Sequence, residues 1–357
     1  MEYKEISANF VSKFNKLVDN AHNITITAHE NPDEDSISSV LATYEIISIN
    51  FPQKNTRIVY SSDPDTKYKI FKHFDKIEFV DDIANHLSNT DLLIMVDGNN
   101  YYRFSKKEEV LKRISHTICI DHHSSPIEDF TLSLVVPQYP SCAEVIYRSL
   151  FTNVKIDKPL AEIFLLGILG DTGNFTYLKE NQLSTLTIAQ KLLEIGQIEI
   201  QEFQSRYRSI SPRIFKVIQE FIKNTHYSSV ENWPDFQYSF ITRKYSTENN
   251  LTRSEISEAS HRYSSEFIRT IEGYTWGFVI TPDKGGDINI SCRSLPNSVN
   301  VREFMEKQKI GGGHDRASGG TFYKKDQSLE VADCIEKIFD WIKSNKPSTL
   351  TRVRPIA

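Results

Sequence analysis

Acidic residues and histidines follow four apolar segments of this chain, at the point where each segment ends. The segments are residues 24–28, 92–96, 118–120 and 164–170, and the polar residues after them are His29, Asp33, Asp35, Asp97, Asp121, His122, His123 and Asp171. Short runs rich in Val, Ile and Leu are typical of buried parallel strands, or in the last case of a buried helix. Because ligands bind at the carboxyl ends of such strands, we expect these side chains to converge.

Each group also has an interpretation without a metal. Asp33 and Asp35 precede a predicted helix over residues 36–49, where an acidic residue is most often an N-cap or a partner of the helix dipole. The triplet at residues 121–123 is, taken alone, as often a hydrogen-bonded loop as a metal site. Several carboxylates at one sheet edge, however, would repel and shift each other's pKa values unless cations compensated them. The sequence therefore predicts a site for divalent cations.

The residue types indicate which cation and which chemistry. Carboxylate-rich sets with a minority of imidazole suit Mn²⁺ or Mg²⁺, and no closely spaced cysteine pair suggests structural zinc. We expect two Mn²⁺ ions, because two histidines make the ligand set softer than the all-oxygen sets that Mg²⁺ usually binds. Mg²⁺ or another divalent cation is the alternative. Two ions about 3.5 to 4 Å apart would activate water and stabilise an in-line displacement at phosphorus. The predicted reaction is phosphoester hydrolysis.

Five motifs resemble those of the DHH phosphoesterases, in their order and approximate spacing. The first four are residues 29–35, Val96-Asp97 with Arg103 beyond it, Asp121-His122-His123 and Gly170-Asp171-Thr172. The fifth resembles the nucleotide-binding motif of the DHH-associated C-terminal domain and comprises Gly311, Gly312, Gly313 and His314, with residues 291–294 before it and 317–320 after it. The resemblance covers about residues 20–340.

The resemblance implies a role for each site residue. One manganese would be held by His29, Asp33 and Asp97, and the other by Asp35, Asp97, His122 and Asp171. His123 would lie beside the substrate phosphate or leaving group, and Asp121 would orient the histidines. Glu34 departs from the family pattern, in which glycine is common at this place, and we expect it to point to solvent at a helix start.

Other residues are expected to bind the substrate. Arg103 lies in the loop that carries Asp97 and could form a bidentate contact with the scissile phosphate. The predicted substrate-binding residues of the second domain are Arg293, Ser294, Gly311, Gly312, Gly313, His314 and Ser318, with Arg293 in an edge strand. Glycine amides can approach and cradle a phosphate or a base edge closely, although three glycines can also be a simple flexible loop.

Length and composition bound the other properties. A chain of 357 residues exceeds what one hydrophobic core usually supports, so two domains are expected. The net charge of −5 argues against a long nucleic-acid track, because such proteins normally show a basic stripe. No apolar run is long enough to span a membrane. Four scattered cysteines predict reduced thiols in a cytoplasmic protein, and a homodimer is left open.

The fold class predicted is α/β, with a parallel-sheet DHH catalytic domain and a smaller α/β substrate-binding domain joined by a helical linker. The boundaries predicted are 1–196, 197–234 for the linker, 235–346, and a disordered tail at 347–357. Strands are expected at residues 24–28, 57–60, 77–80, 92–96 and 117–120, and then at 236–241, 275–281 and 287–292. A helix over 182–195 is expected to end with Gly196 as its C-cap.

The function predicted is manganese-dependent hydrolysis of short oligonucleotides, such as dinucleotides and nanoRNA, with removal of the 3′-phosphate of pAp as a further activity. Two alternatives are kept. One is a cyclic dinucleotide phosphodiesterase acting on cyclic di-AMP. The other is a nucleotide-binding regulator without catalysis, which should lack at least one metal ligand, and none of the six is missing here.

Overall fold

A computed structural model describes residues 3–30, 32–62, 66–124, 127–283, 285–324 and 329–348 of the chain. The chain divides into two compact units, Met1–Ser209 and Ile210–Ala357. Each unit contains a β-sheet with helices packed against it, so the predicted α/β class is confirmed.

The first unit is built on six parallel strands in the order β3-β2-β1-β4-β5-β6. The strands are β1 Asn23–Ala28, β2 Asn55–Ser61, β3 Ile77–Val80, β4 Leu92–Val96, β5 His116–Asp121 and β6 Leu132–Val135. Its helices are α1 Tyr3–Asn20, α2 Glu34–Asn50, α3 Glu108–Leu111, α4 Cys142–Leu150, α5 Lys158–Asp171, α6 Ser184–Gly196 and α7 Ile200–Arg208. The five predicted strands are confirmed, whereas β6 was not predicted because it is a short, partly exposed edge strand.

The order of the strands places the site. Strand β1 pairs with β2 on one side and with β4 on the other. The chain therefore adds β2 and β3 on one side of β1, and then β4, β5 and β6 on the other side. Open α/β sheets bind ligands at the carboxyl ends of the strands beside such a switch point. Strands β1, β4 and β5 are adjacent and almost entirely buried, as their continuous apolar sequences predict.

The second unit contains a mixed sheet in the order β11-β12-β10-β9-β8-β7. Its strands are β7 His226–Ser228, β8 Phe236–Phe240, β9 Trp276–Pro282, β10 Ile288–Ser294, β11 Gly311–His314 and β12 Ala317–Phe322. Its helices are α8 Pro212–Lys223, α9 Arg243–Glu248, α10 Arg253–Glu266, α11 Val301–Gln308 and α12 Val331–Ser344. Strands β8 and β9 are parallel, and the other neighbours are antiparallel.

One expectation about this sheet was wrong, and the simple flexible loop kept as an alternative for the glycine run is not what the structure shows. The glycine run forms strand β11, paired with β12, because glycines let the two backbones approach closely: a Cβ on Gly311 would lie 2.0 Å from the carbonyl oxygen of Gly319. Arg293 does not lie in an edge strand, since β10 is flanked by β9 and β12 and the edge is β11. A glycine run carries no side-chain alternation, so its strand character cannot be recognised from pattern.

The segment between the predicted domains also differs from expectation. Gly196 is the last residue of α6 and is buried, while the left-handed cap is Gln197, with φ of 47°. In the predicted linker, α7 places Phe203 and Tyr207 in the core of the first unit, and α8 contributes Phe221 to a core of the second. Each half of the predicted linker is thus built into one unit. Residues 349–357 of the predicted tail lie outside the described residues.

Candidate metal centre

Three strands and two helices deliver the predicted ligands to one place in the first unit. His29 follows β1, Asp97 follows β4, and His122 follows β5. The remaining ligands come from helix ends, since Asp33 is the N-cap of α2, Asp35 lies in its first turn, and Asp171 is the last residue of α5. The structure therefore brings all six predicted metal ligands together, in two groups that meet at Asp97.

His29, Asp33 and Asp97 form the first group. The Nε2 atom of His29 lies 3.2 Å from Oδ2 of Asp97 and 3.5 Å from Oδ2 of Asp33. The other oxygen of Asp33 accepts a hydrogen bond from the amide of Ser36, so this residue serves as N-cap and candidate ligand at once. Burial alone would lower the pKa of His29, but the two carboxylates raise it to about 10. Burial would raise the pKa of Asp33, but His29 lowers it to about 2.

Asp35, His122 and Asp171 form the second group. The Nε2 atom of His122 lies 3.1 Å from Oδ2 of Asp171 and 3.7 Å from Oδ2 of Asp35. Burial raises the pKa of Asp171 to about 6. Burial, with the charges of Asp97 and Asp171, raises the pKa of Asp35 well above its usual range. These shifts reflect burial first and repulsion from neighbouring carboxylates second, and a divalent cation would relieve the repulsion.

Asp97 lies between the two groups. Its Oδ1 atom is 3.5 Å from Nε2 of His122 and 3.6 Å from Nδ1 of His123, distances too long for a good hydrogen bond. Within the described parts of the chain, this buried oxygen has no hydrogen-bond partner. The backbone of Asp97 is left-handed, with φ of 57°, a conformation that costs energy outside glycine and is concentrated at functional sites. Burial would raise the pKa of Asp97, but His122 and His29 hold it well below its usual range.

The donor set fits divalent cations. In each group of three, one ligand atom from every residue lies within 4.8 Å of the others. A buried carboxylate oxygen without a hydrogen bond is what a cation would satisfy, and carboxylate-rich sets with one imidazole each suit Mn²⁺ or Mg²⁺.

His123 belongs to a separate pair with Asp121. Its Nδ1 atom lies 2.7 Å from Oδ1 of Asp121, and both side chains are buried. Burial lowers the pKa of His123. For Asp121, burial would raise the pKa, but the neighbouring His123 lowers it below its usual value. A neutral His123 would donate from Nδ1 to Asp121, which orients the ring. His122 points differently, since its Nδ1 atom lies 3.3 Å from the carbonyl oxygen of Tyr139.

Arg103 lies close to the same groups. It ends a 3₁₀ turn, Tyr101–Arg103, and its carbonyl oxygen accepts a hydrogen bond of 2.8 Å from the amide of Glu30. The charge of its guanidinium opposes the rise in the pKa of His29 and adds to the lowering of the pKa of His123 by burial. The predicted phosphate-binding arginine is therefore within electrostatic reach of both histidines.

The predicted substrate residues of the second unit divide by strand face. Along β10, Ser294 lies on the buried face and Arg293 on the other, because burial alternates from residue to residue. Ser294 is fully buried and its hydroxyl has no hydrogen-bond partner among the described residues, so its contact with a ligand stays a prediction. Ser318 is also buried, and its hydroxyl donates to the carbonyl of Gly312 across the hairpin. His314 is exposed at the end of β11.

Sequence reasoning missed three kinds of support for the site. Asn99 is buried two residues after Asp97, and its side-chain amide donates to the carbonyl of His123. The amides of Cys142 and Ala143 donate to the two oxygens of Asp35 across more than a hundred residues. Gly167 packs directly against Asp35. Of these contacts, only that of Asn99 could have been suspected from the sequence, because Asn99 lies two residues after Asp97.

Two models of known protein families match the chain. Residues 23–168 match the model of the DHH family, N-terminal domain, and residues 235–344 match the DHHA1 domain. The chain therefore contains a DHH domain followed by a DHHA1 domain, and it is a hydrolase of the phosphoesterase class. Within the described parts of the chain, no helix is both long and apolar enough to cross a membrane, and the four cysteines are buried and free.

Several relatives are similar over most of the chain. The probable bifunctional oligoribonuclease and PAP phosphatase NrnA of Streptococcus mutans is 26% identical, over 86% of this chain and 92% of the relative. The NrnA protein of Mycoplasma genitalium is 25% identical, over 92% and 96%. The cyclic-di-AMP phosphodiesterase GdpP of Bacillus subtilis is 23% identical over 84% of this chain but only 45% of its own length. An exopolyphosphatase-related protein from Bacteroides fragilis shares the fold, with a TM-score of 0.76, 20% identity, and coverage of 94% and 96%.

Proposed function

We propose that this chain is a manganese-dependent phosphodiesterase that hydrolyses short oligonucleotides and also removes the 3′-phosphate of pAp. The observation that carries the proposal is the position of Asp97. Its two oxygens face two separate groups of ligands, Oδ2 toward His29 and Oδ1 toward His122, and Oδ1 has no hydrogen-bond partner among the described residues. Such a carboxylate is suited to bridge a pair of cations. A location in the cytoplasm, predicted from the dispersed cysteines, is part of the same proposal.

Six side chains would hold the cations. His29, Asp33 and Asp97 would hold one, and Asp35, Asp97, His122 and Asp171 the other. When bound, two such cations would lower the pKa of a water nucleophile and neutralise charge on the phosphoryl group. Mn²⁺ is favoured over Mg²⁺ because each group includes an imidazole.

The other residues would bind and orient the substrate. Arg103 would pair with non-bridging phosphate oxygens, as guanidinium groups do. Because Asp121 holds Nδ1 of His123, Nε2 is the ring nitrogen that would exchange a proton with the attacking or leaving oxygen. In the second unit, Arg293, His314 and the amides of β11 would bind the nucleoside part of a short substrate. The acidic net charge supports a short substrate, since no excess of basic residues is available to follow a long one.

The relatives support oligonucleotides over cyclic di-AMP as the substrate. The relatives named as oligoribonuclease and PAP phosphatase match over nearly their whole length, whereas less than half of GdpP is matched. A regulator without catalysis is disfavoured because all six candidate ligands are present and assembled.

A hydrolysis panel tests the proposal. The purified protein would be given a linear dinucleotide, longer RNAs, pAp and cyclic di-AMP, with Mn²⁺, with Mg²⁺ and with a chelator. The matched control is Asp97→Asn, which changes one oxygen to nitrogen. We expect manganese-dependent cleavage of the dinucleotide and of pAp, lost with chelator. Faster cleavage of cyclic di-AMP would favour that alternative, and nucleotide binding without any hydrolysis would favour the regulator.

A further inference from the structure

Asp35, a buried residue in the first turn of α2, is held by the first turn of α4, which donates hydrogen bonds to both of its carboxylate oxygens. Oδ2 accepts a hydrogen bond of 2.6 Å from the amide of Cys142, and Oδ1 accepts one of 2.9 Å from the amide of Ala143. The next amide, of Glu144, donates instead to the hydroxyl of the N-cap Ser141. Asp35 therefore caps α4 from another part of the chain and is itself fixed in orientation by two backbone groups.

Gly167 closes the space around this carboxylate from α5. A Cβ atom on Gly167 would lie 2.6 Å from Cβ of Ala143, 2.7 Å from Oδ1 of Asp35 and 2.8 Å from Oγ of Ser38. Gly167 also stands four residues before Asp171, so the two residues occupy the same face of α5. The face of α5 that carries Asp171 into the candidate metal centre is therefore the same face that packs closely against Asp35.

None of the three neighbours can move away easily. Ala143 is held within α4, and its amide is committed to Asp35. The hydroxyl of Ser38 donates a hydrogen bond of 2.7 Å to the carbonyl of Ile163. Asp35 is completely buried, and displacing it would break at least one amide contact. Any side chain at position 167 would therefore shift Asp35, Asp171 or both.

We propose that Gly167 is a positioning residue of the metal centre, whose missing side chain leaves the space in which α4 holds Asp35 facing His122 and Asp171. This inference rests on the proposed two-cation site and assigns Gly167 to one of its two halves. The three atoms nearest to a Cβ at position 167 belong to Ala143, Asp35 and Ser38 and not to His29, Asp33 or Asp97, so the group of those three residues should be affected little.

The test is manganese binding to the full-length Gly167→Ala variant, measured by calorimetry and by Mn²⁺ electron paramagnetic resonance. We expect one of two manganese equivalents to bind about 10- to 100-fold more weakly, the range found when a group that orients a ligand is altered. The resonance of a coupled manganese pair should give way to that of a single ion. The control is Gly196→Ala in α6, where the new Cβ would come closest to the side chain of Ile198 and make an ordinary contact of 3.5 Å with Ala161, and it should bind manganese as the wild type does.

A double-mutant cycle separates positioning from general packing. Once Asp35→Ala has removed the carboxylate, adding Gly167→Ala should weaken manganese binding less than about twofold further, whereas equal losses in both backgrounds would overturn the inference. If Gly167→Ala does not fold, Ala143→Gly is added to remove the closest contact. A folded double variant with weakened binding supports the inference, and one with wild-type binding, or one that still fails to fold, overturns it.

The failures of the two proposals are distinguishable. A wild-type protein that binds no manganese overturns the proposed function and this inference with it. A wild type that binds two ions, together with a Gly167→Ala variant that binds both equally well, overturns this inference alone.

Discussion

The Nδ1 atom of His123 lies 2.7 Å from Oδ1 of Asp121, whereas Nδ1 of its neighbour His122 lies 3.3 Å from the carbonyl of Tyr139. Two adjacent histidines are thus oriented by different partners. The Nε2 atom of His122 lies among Asp35, Asp97 and Asp171.

This difference predicts separate losses in two single variants. His122→Ala should reduce manganese occupancy as well as turnover, because it removes a ligand. His123→Ala should leave manganese binding nearly intact and lower turnover alone. Calorimetric titration of both variants, alongside their kcat values, decides between the roles. Equal loss of manganese in the two would contradict the assignment.

Asp97→Asn should lower turnover by several orders of magnitude, because one change disturbs both halves of the centre. The fold should survive, since asparagine tolerates the left-handed backbone found here and one repelling charge is removed. Turnover should be measured with manganese, and thermal unfolding with a chelator. Activity above about a tenth of wild type would refute the bridging role, because it corresponds to under roughly 1.4 kcal/mol of barrier.

Manganese affinity should rise with pH. In the metal-free protein the pKa of His29 is about 10, so near neutral pH the ring carries a proton that a cation must displace. The affinity should therefore increase by up to about tenfold per pH unit for each proton released, until the pH approaches that pKa. Titrations from about pH 6 to about pH 8, in two buffers of different ionisation enthalpy, measure the release. His29→Gln should show a shallower slope, and an affinity independent of pH in the wild type would be inconsistent with this electrostatic picture.

Gly311 and Gly312 should respond differently to alanine. A Cβ on Gly311 would lie 2.0 Å from the carbonyl oxygen of Gly319, so Gly311→Ala should destabilise the β11–β12 hairpin and lower the unfolding temperature. A Cβ on Gly312 meets nothing within 4 Å, so Gly312→Ala should fold normally. If β11 binds the substrate, Gly312→Ala should raise KM for a dinucleotide with little change in stability. Equal destabilisation by both variants would mean that β11 is packed differently.

Substrate length gives a further prediction. Arg293→Ala and His314→Ala should depress hydrolysis of dinucleotides strongly while sparing bis-p-nitrophenyl phosphate, because binding energy from a remote nucleoside helps only a substrate that has one. Rates on RNAs of about two, five and twenty-four nucleotides should fall with length, since the acidic chain offers no basic track for the excess. A preference for the longest RNA would point to a processive exonuclease instead.

Much of the first unit could be predicted from local pattern. Strands β1, β4 and β5 are continuous apolar runs, and each is followed by a carboxylate or histidine. The second unit was less predictable. β7 is a short, mostly exposed strand, and β11 is made almost wholly of glycine, so neither shows the alternation by which strands are recognised. The left-handed cap at Gln197 was also missed, because glycine is the usual residue in that role and Gly196 directly precedes it.

The sequence by itself determined which side chains are available to the centre and that they stand at the ends of apolar elements. That followed because residue type and spacing along one strand are local properties. The family resemblance had already implied how they divide between two cations, whereas only the tertiary structure decided their surroundings: that the two oxygens of Asp97 face His29 and His122, and that α4 holds Asp35 beside Gly167. These relationships join distant parts of the chain, and they depend on how close two helices or strands can pack, which the local pattern does not encode.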